Sequence, residues 1–219
     1  MMMLLQAGEL VLQDRAVVGG PAHTSLPVCV ACCRAWCGGG DLCSGCGWPV
    51  CGRECEGRAL HLSIECPVLA RCPPHLRPNF NIPDSEETNL LACIIPMRLA
   101  LLARRDDEVS SKLSLLMDHR EDIEARPGFE TKWAGPVLRF LTQTFDSGLS
   151  REELLRGIGI YITNAANMAP RTGRWILPTF SFLSHSCVSN SRFFISPGGV
   201  ARSVINTQVD GITPSFLLY

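Results

Sequence analysis

The sequence has no surplus of charge of either sign: 20 Lys and Arg stand against 21 Asp and Glu, for a formal net charge of −1. That balance removes the electrostatic footprint of a general nucleic-acid or membrane-surface binder. Long hydrophobic runs are missing as well. The most apolar stretch, residues 90–103, is too short to span a bilayer and is broken by Pro96 and Arg98. The start, MMMLLQAGELVL, lacks a basic region ahead of a long apolar one, so no secretory signal is expected. Repeats and low-complexity segments are absent too. What these absences leave is a soluble chain expected in the nucleus, the cytoplasm or both. Its 46% hydrophobic content is enough to bury a core.

Cysteine is the residue in excess. There are 12, and ten of them fall between Cys29 and Cys72. A secreted disulfide scaffold spreads its cysteines through a small loop-rich chain. Here they come in short steps, the spacing of thiolate metal ligands in a reducing compartment. In chain order the ligand pairs are Cys29 and Cys32, Cys43 and Cys46, Cys51 and Cys55, then His61 and Cys66. Eight donors in four pairs make two tetrahedral zinc sites. A two-residue gap lets both sulfurs of a pair meet one ion, and a four-residue gap does the same across a helical turn. The block, residues 28–66, is too small to bury a core unaided. Metal would then supply folding free energy of roughly 10–16 kcal/mol per site. With all four positions filled by protein atoms, such an ion is structural. Cys37, Cys72 and Cys93 have no partner left over and read as small buried hydrophobes.

Around this block the pattern is mixed, and the expected fold class is α+β. Residues 8–20 read as one or two strands closed by Gly-Gly-Pro. Residues 67–87 are proline-rich and read as a surface linker. From about Thr88 to Thr163 the apolar spacing is helical, with Leu113, Leu116 and Met117 on one face and Val137, Phe140 and Leu141 on another. Ser150 with Glu153 three residues on predicts a capping box, and Leu149 with Leu154 a hydrophobic staple. After Pro170 short strands return, in WILPTFSFLSHSC, SRFFIS and VARSVI.

The ligand order resembles the MYND finger. By that resemblance the pairs interleave: Cys29, Cys32, Cys51 and Cys55 hold one zinc, while Cys43, Cys46, His61 and Cys66 hold the other. Two departures stand out. Cys33 competes with Cys32, and His61 lies five residues before Cys66 where four is usual. A RING finger, the nearest rival, needs a histidine early among the ligands, and here it comes late. MYND fingers bind short proline-containing peptides, and Trp36 and Trp48 are read either as walls of such a groove or as packing.

The rest of the chain resembles the SMYD family, proteins in which a MYND finger interrupts a SET domain. The resemblance rests on GELVLQDRAVVGGP, IIPMRLALL, LLMDHREDIEAR, GIGIYITNAANMA and FSFLSHSCVSN, in family order, and the spelling LSHSCVSN is closest to the arthropod SmydA-like branch. It implies partial SET strands in 1–27, the finger in 28–66, the linker in 67–87, a helical insertion in 88–170 and a SET core in 171–219. It implies protein-lysine methylation from S-adenosylmethionine, on histone or other lysines. Carried over, Asn164, Ser181, Leu183, Ser184, His185 and Asn190 fall at cofactor-binding positions, and Tyr219 is the one candidate for the catalytic tyrosine. Its surroundings, VDGITPSFLLY, do not otherwise match, and an edge or surface role is the commoner one for such a residue.

Other departures bear on activity. The family's N-terminal Gly-x-Gly turn has no counterpart. Ser184 replaces an asparagine, and so loses one amide donor and acceptor. Cys187 is followed by none of the three cysteines that complete a third zinc site, and reads as a buried thiol. The chain is therefore expected to be shortened at both ends, with little or no methyl transfer. The alternative expectation is a zinc-dependent adaptor that binds short peptides and uses the SET remnant as scaffold.

Overall fold

The computed structural model describes residues 6–22, 28–36, 40–77, 91–129, 134–167, 173–185, 189–196, 199–205 and 217–218. Strands β1 (Leu10–Arg15) and β2 (Val18–Gly20) come first. The finger follows, with α1 (Arg53–Glu56), a π turn over His61–Glu65 and α2 (Cys66–Leu69). The helical body holds α3 (Ile94–Arg105), α4 (Asp107–Ser114), α5 (Arg120–Ala125), α6 (Ala134–Arg139) and α7 (Arg151–Asn164). The last part holds β3 (Ala165–Asn167), β4 (Arg174–Ile176), a 3-10 turn over Phe180–Phe182, β5 (Ser184–His185), β6 (Ser191–Ile195), β7 (Val200–Ile205) and β8 (Leu217–Leu218). The architecture is α+β, as the sequence leads one to expect.

The described strands form three small sheets. The first strand crosses the whole chain to pair: the order is β1-β7-β6, all antiparallel. A second sheet runs β2-β4-β3, antiparallel, and β5 pairs with β8 in parallel. The two ends of the sequence are thus stitched together around the finger and helices. Asp14 on β1 strengthens the stitch, its carboxylate accepting from the backbone N–H of Thr179 and Phe180 at 2.8 and 3.1 Å.

Helix α7 begins where the local chemistry requires. Ser150 accepts from the Glu153 N–H, and the Glu153 carboxylate accepts from the Ser150 N–H at 2.7 Å, the reciprocal capping box. Leu149 and Leu154 are both buried beside it. Further along, α7 lies so close to its neighbours that side chains are excluded. A Cβ on Gly157 would stand 2.6 Å from the Pro96 carbonyl oxygen, and one on Gly159 2.0 Å from that of Asp118.

Two expectations are corrected by packing. The stretch read as a surface linker from residue 67 begins instead as helix α2, and Val68, Leu69 and Cys72 are buried in the main core. Pro67 lies inside the continuous helical run 59–69, directly after the π turn over His61–Glu65. Met117, read on one helical face with Leu113 and Leu116, lies beyond the end of α4 and is exposed.

The main core does not respect the boundary between finger and helices. It unites Cys29, Val30, Trp48, Val50 and Leu69 with Leu91, Ile94, Leu138, Phe145 and Leu154. A second cluster packs β2 and β4 on α3, α4 and α7. The finger is therefore built into the body, with buried apolar area supplying the adhesion.

Candidate metal centre

Each of the first two ligand pairs lies on a knuckle of the same design. In one, a bridge joins Val28 to Ala35, the Cys29 N–H donates to Arg34 O and the Cys33 N–H to Cys29 O. In the other, a bridge joins Leu42 to Pro49, the Cys43 N–H donates to Trp48 O and the Gly47 N–H to Cys43 O. Four residues after the first cysteine, both knuckles turn left-handed, at Cys33 (φ 60°) and Gly47 (φ 74°). Cys33 thus occupies the turn position and not a ligand position. It is buried, and burial pushes its thiol up to about 11.

Folding brings the donors together in two sets. Cys29, Cys32, Cys51 and Cys55 form one, and Cys43, Cys46, His61 and Cys66 the other, with the ligand atoms of each set within 4.8 Å of one another. Every member is buried except Cys51. Metal–sulfur bonds of about 2.3 Å give a tetrahedral edge of about 3.8 Å between ligand atoms. The observed edges match: Cys32 to Cys51 is 3.5 Å, Cys43 to Cys66 3.7 Å, Cys46 to His61 Nε2 3.8 Å and Cys43 to His61 Nε2 3.2 Å. Donor type, number and spacing all fit zinc, so each set could hold one ion with no position left for water.

The unusual five-residue step from His61 to Cys66 has a structural cause. Residues His61–Glu65 form a π turn, closed by the Cys66 N–H donating to His61 O. A π turn is wider than an α turn, so residues five apart return to the same face. Cys66 and His61 thereby reach one centre.

Electrostatics within the sets favour a cation. Burial, then the neighbouring Cys29 charge, lifts the Cys55 thiol to about 11; burial, then Cys43, does the same for Cys66. Burial also raises Cys46, with further contributions from Cys66 and Cys43. Cys43 is held below the ordinary thiol range although burial opposes it, by its contact with His61 and by backbone N–H groups of Cys46 and Gly45. Thiols this crowded resist joint ionisation until a dication offsets their charge. Beside the all-cysteine set, Arg34, Arg53 and Arg58, against one carboxylate, Glu54, line a cleft with Cys32, Cys51 and Cys55. Their positive field opposes the excess negative charge of four thiolates on one dication.

Three supporting residues were not read from the sequence. Glu65 accepts from His61 Nδ1 at 2.7 Å, and Arg98 binds both oxygens of Glu65. Glu56 accepts from the Ser44 N–H at 2.7 Å and from the Cys43 thiol at 3.5 Å. The available signals were a Glu four residues after a ligand His and a lone Arg inside the apolar run IIPMRLALL.

The two tryptophans separate. Trp48 is fully buried, its ring 6.0 Å from that of Phe145, and is packing. Of the two readings of Trp48, packing is the one its burial supports. Trp36 is half-buried at the surface, its Nε1 donating to Asp41 O at 3.1 Å. Cys72 and Cys93 are buried outside both ligand sets, while Cys37 and Cys187 lie outside the described residues.

The residues carried over for a cofactor make the following contacts among the described residues. Asn164 donates its amide to Met117 O and Ile160 O at 2.8 and 3.1 Å, and Ser181 donates its hydroxyl to Leu177 O at 2.9 Å. Leu183 packs on the small sheet core, and the Ser184 side chain is exposed. His185 is described only in its backbone, which pairs with Leu218. Asn190 has a buried Oδ1 with no hydrogen-bond partner among the described residues. Tyr219 lies outside them.

No protein-family model matches the chain. Among characterised proteins, the SET domain-containing protein SmydA-8, isoform A, of Drosophila melanogaster is 26% identical over 207 residues. The alignment takes in 90% of this chain and 42% of the relative, so the chain spans about two-fifths of the relative's length. Similarity along nearly the whole chain and ligand geometry point the same way: this chain is similar to a SET domain-containing SmydA protein, and its two cysteine clusters fit a MYND-type zinc finger.

Proposed function

We propose that this chain is a zinc-dependent MYND module built rigidly into a SET-type protein-lysine methyltransferase scaffold, with little or no methyl transfer of its own. The observation that carries the reading is the pair of closed four-donor sets at tetrahedral spacing, packed into one core with the helical body. Closed sets hold structural ions and leave no open position for chemistry. S-adenosylmethionine would supply the transferable methyl group in an active relative. Here the amide of Asn164 and the hydroxyl of Ser181 are already committed to carbonyls of the protein. A reacting pair misplaced by about 1 Å loses about a hundredfold in rate, so donors engaged elsewhere weigh against turnover.

In this reading the finger docks a short peptide, proline-containing by analogy with its class, and Trp36 is the half-buried aromatic left at its surface. Native mass spectrometry should find two zinc ions per chain. Calorimetry with S-adenosylmethionine should give no micromolar binding, and a binding isotherm in that range would refute the inactive reading. Trp36 fluorescence, followed in a background in which Trp48, Trp133 and Trp175 are replaced by Phe so that it is the one tryptophan left, should respond during titration with a proline-rich peptide; a flat trace would remove the docking assignment.

A further inference from the structure

The buried trio His61, Glu65 and Arg98 does more than fill space. All three are essentially inaccessible, and ionic groups are seldom retained at such depth without partners. The Arg98 guanidinium uses its whole fork. Nε and Nη2 bind the two oxygens of Glu65, Nη1 donates to Gly19 O on β2, and Nη2 also donates to Val30 O in the first knuckle. Glu65 in turn accepts from His61 Nδ1, which fixes the ring so that Nε2 faces Cys43 and Cys46. One side chain of helix α3 therefore joins a strand of the body, the all-cysteine knuckle and the histidine of the second centre. These groups lie 79, 68 and, for Glu65, 33 residues from Arg98 in sequence.

We propose that Glu65 and Arg98 are positioning residues that make metal binding at the Cys43, Cys46, His61 and Cys66 centre and docking of the finger on β2 a single cooperative step. The proposal rests on the zinc reading above. A ligand histidine whose other nitrogen donates to a carboxylate is held in the metal-binding tautomer, and such outer partners typically alter affinity about 10- to 100-fold. In this chain an arginine also anchors that carboxylate to the body, so that the ion at this centre and the seat of β2 stabilise each other. Steric fit supports the close seat: a Cβ on Gly20 would lie 2.6 Å from Ile95 of α3.

The test uses the full chain loaded with cobalt(II), whose d–d bands distinguish a three-sulfur, one-nitrogen set from a four-sulfur set. Native mass spectrometry counts the ions, chelator competition gives the affinity of each centre, and amide exchange follows residues 18–20. Glu65→Gln should weaken the histidine-containing centre by about 10- to 100-fold and leave the all-cysteine centre unchanged, whereas general destabilisation would weaken both alike. Chelation of the wild type should release exchange protection at residues 18–20. If Glu65→Gln does not fold, Glu65→Gln/Arg98→Met, which buries no lone charge, should show the same weakening and exchange at 18–20 that no longer depends on metal. Two ions in the wild type with unaltered affinity in these variants would overturn the coupling alone. A wild type that folds without binding any ion would overturn the metal reading as well.

Discussion

Replacing Trp48 by Ala separates a packing role from a recognition role. The indole is fully buried, leans on Phe145 at 6.0 Å, and through it on Phe140, whose ring meets that of Phe145 edge-on at 4.6 Å. Truncating a buried Trp costs about 3–5 kcal/mol. A domain of ordinary stability has about 5–15 kcal/mol in all, so the loss is a large share. For a chain of this length it corresponds to about 6–20 °C in Tm, at about 2–4 °C per kcal/mol. The backbone of Trp48 closes the second knuckle through its carbonyl, which the substitution retains, so both ions should still bind. The assay is urea unfolding followed by far-UV circular dichroism at fixed free zinc, because a bound ion makes apparent stability depend on its concentration. A surface side chain lining a groove would cost no more than about 0.5 kcal/mol. A measured loss below about 1 kcal/mol would refute the reasoning that joins finger and helices in one core.

Gly159→Ala should lower stability by about 1–3 kcal/mol, although alanine favours helix over glycine by about 1 kcal/mol, because the new methyl meets a backbone oxygen; a raised Tm would contradict the close approach. Ser150→Ala should cost about 1 kcal/mol through loss of the cap, read by thermal unfolding. The Arg104 side chain, with the Ser150 N–H and hydroxyl, holds Glu153 down to about 2 from the ordinary 4.5. The stabilisation is therefore complete above pH 4.5 and is lost as pH falls toward 2, so the deficit of Glu153→Gln should shrink across that window, from about 0.2–1 kcal/mol for so exposed a pair; a deficit independent of pH would exclude the pairing. Removing both ions with excess chelator should abolish the near-ultraviolet dichroism of the helical body together with that of the finger, since the metal contribution of roughly 10–16 kcal/mol per site matches the whole stability of a domain; loss confined to the finger would count against a shared core.

Features governed by neighbours in sequence are legible from the residues alone. Cys29 with Cys32, Cys43 with Cys46 and Ser150 with Glu153 each act within a single turn, where spacing alone fixes what can meet. Strands at 10–20 and the helical character of 94–164 follow from periodicity for the same reason. Features that depend on distant neighbours are not legible in this way. Residues after 66 carry prolines typical of a linker, yet α2 is held in the core by helices far along the chain. Trp36 and Trp48 look alike in sequence, and only packing on Phe145 makes one of them interior.

The sequence by itself determined the donor set, eight sulfur and nitrogen atoms, because ligand chemistry is a property of residue type and short-range spacing. The tertiary structure alone decided three further points. A π turn brings His61 and Cys66 to one centre, Cys33 serves as a left-handed turn, and Arg98 ties Glu65 to the body. Each depends on backbone conformation or on partners tens of residues away, and a guanidinium can be buried only where such partners converge to satisfy it.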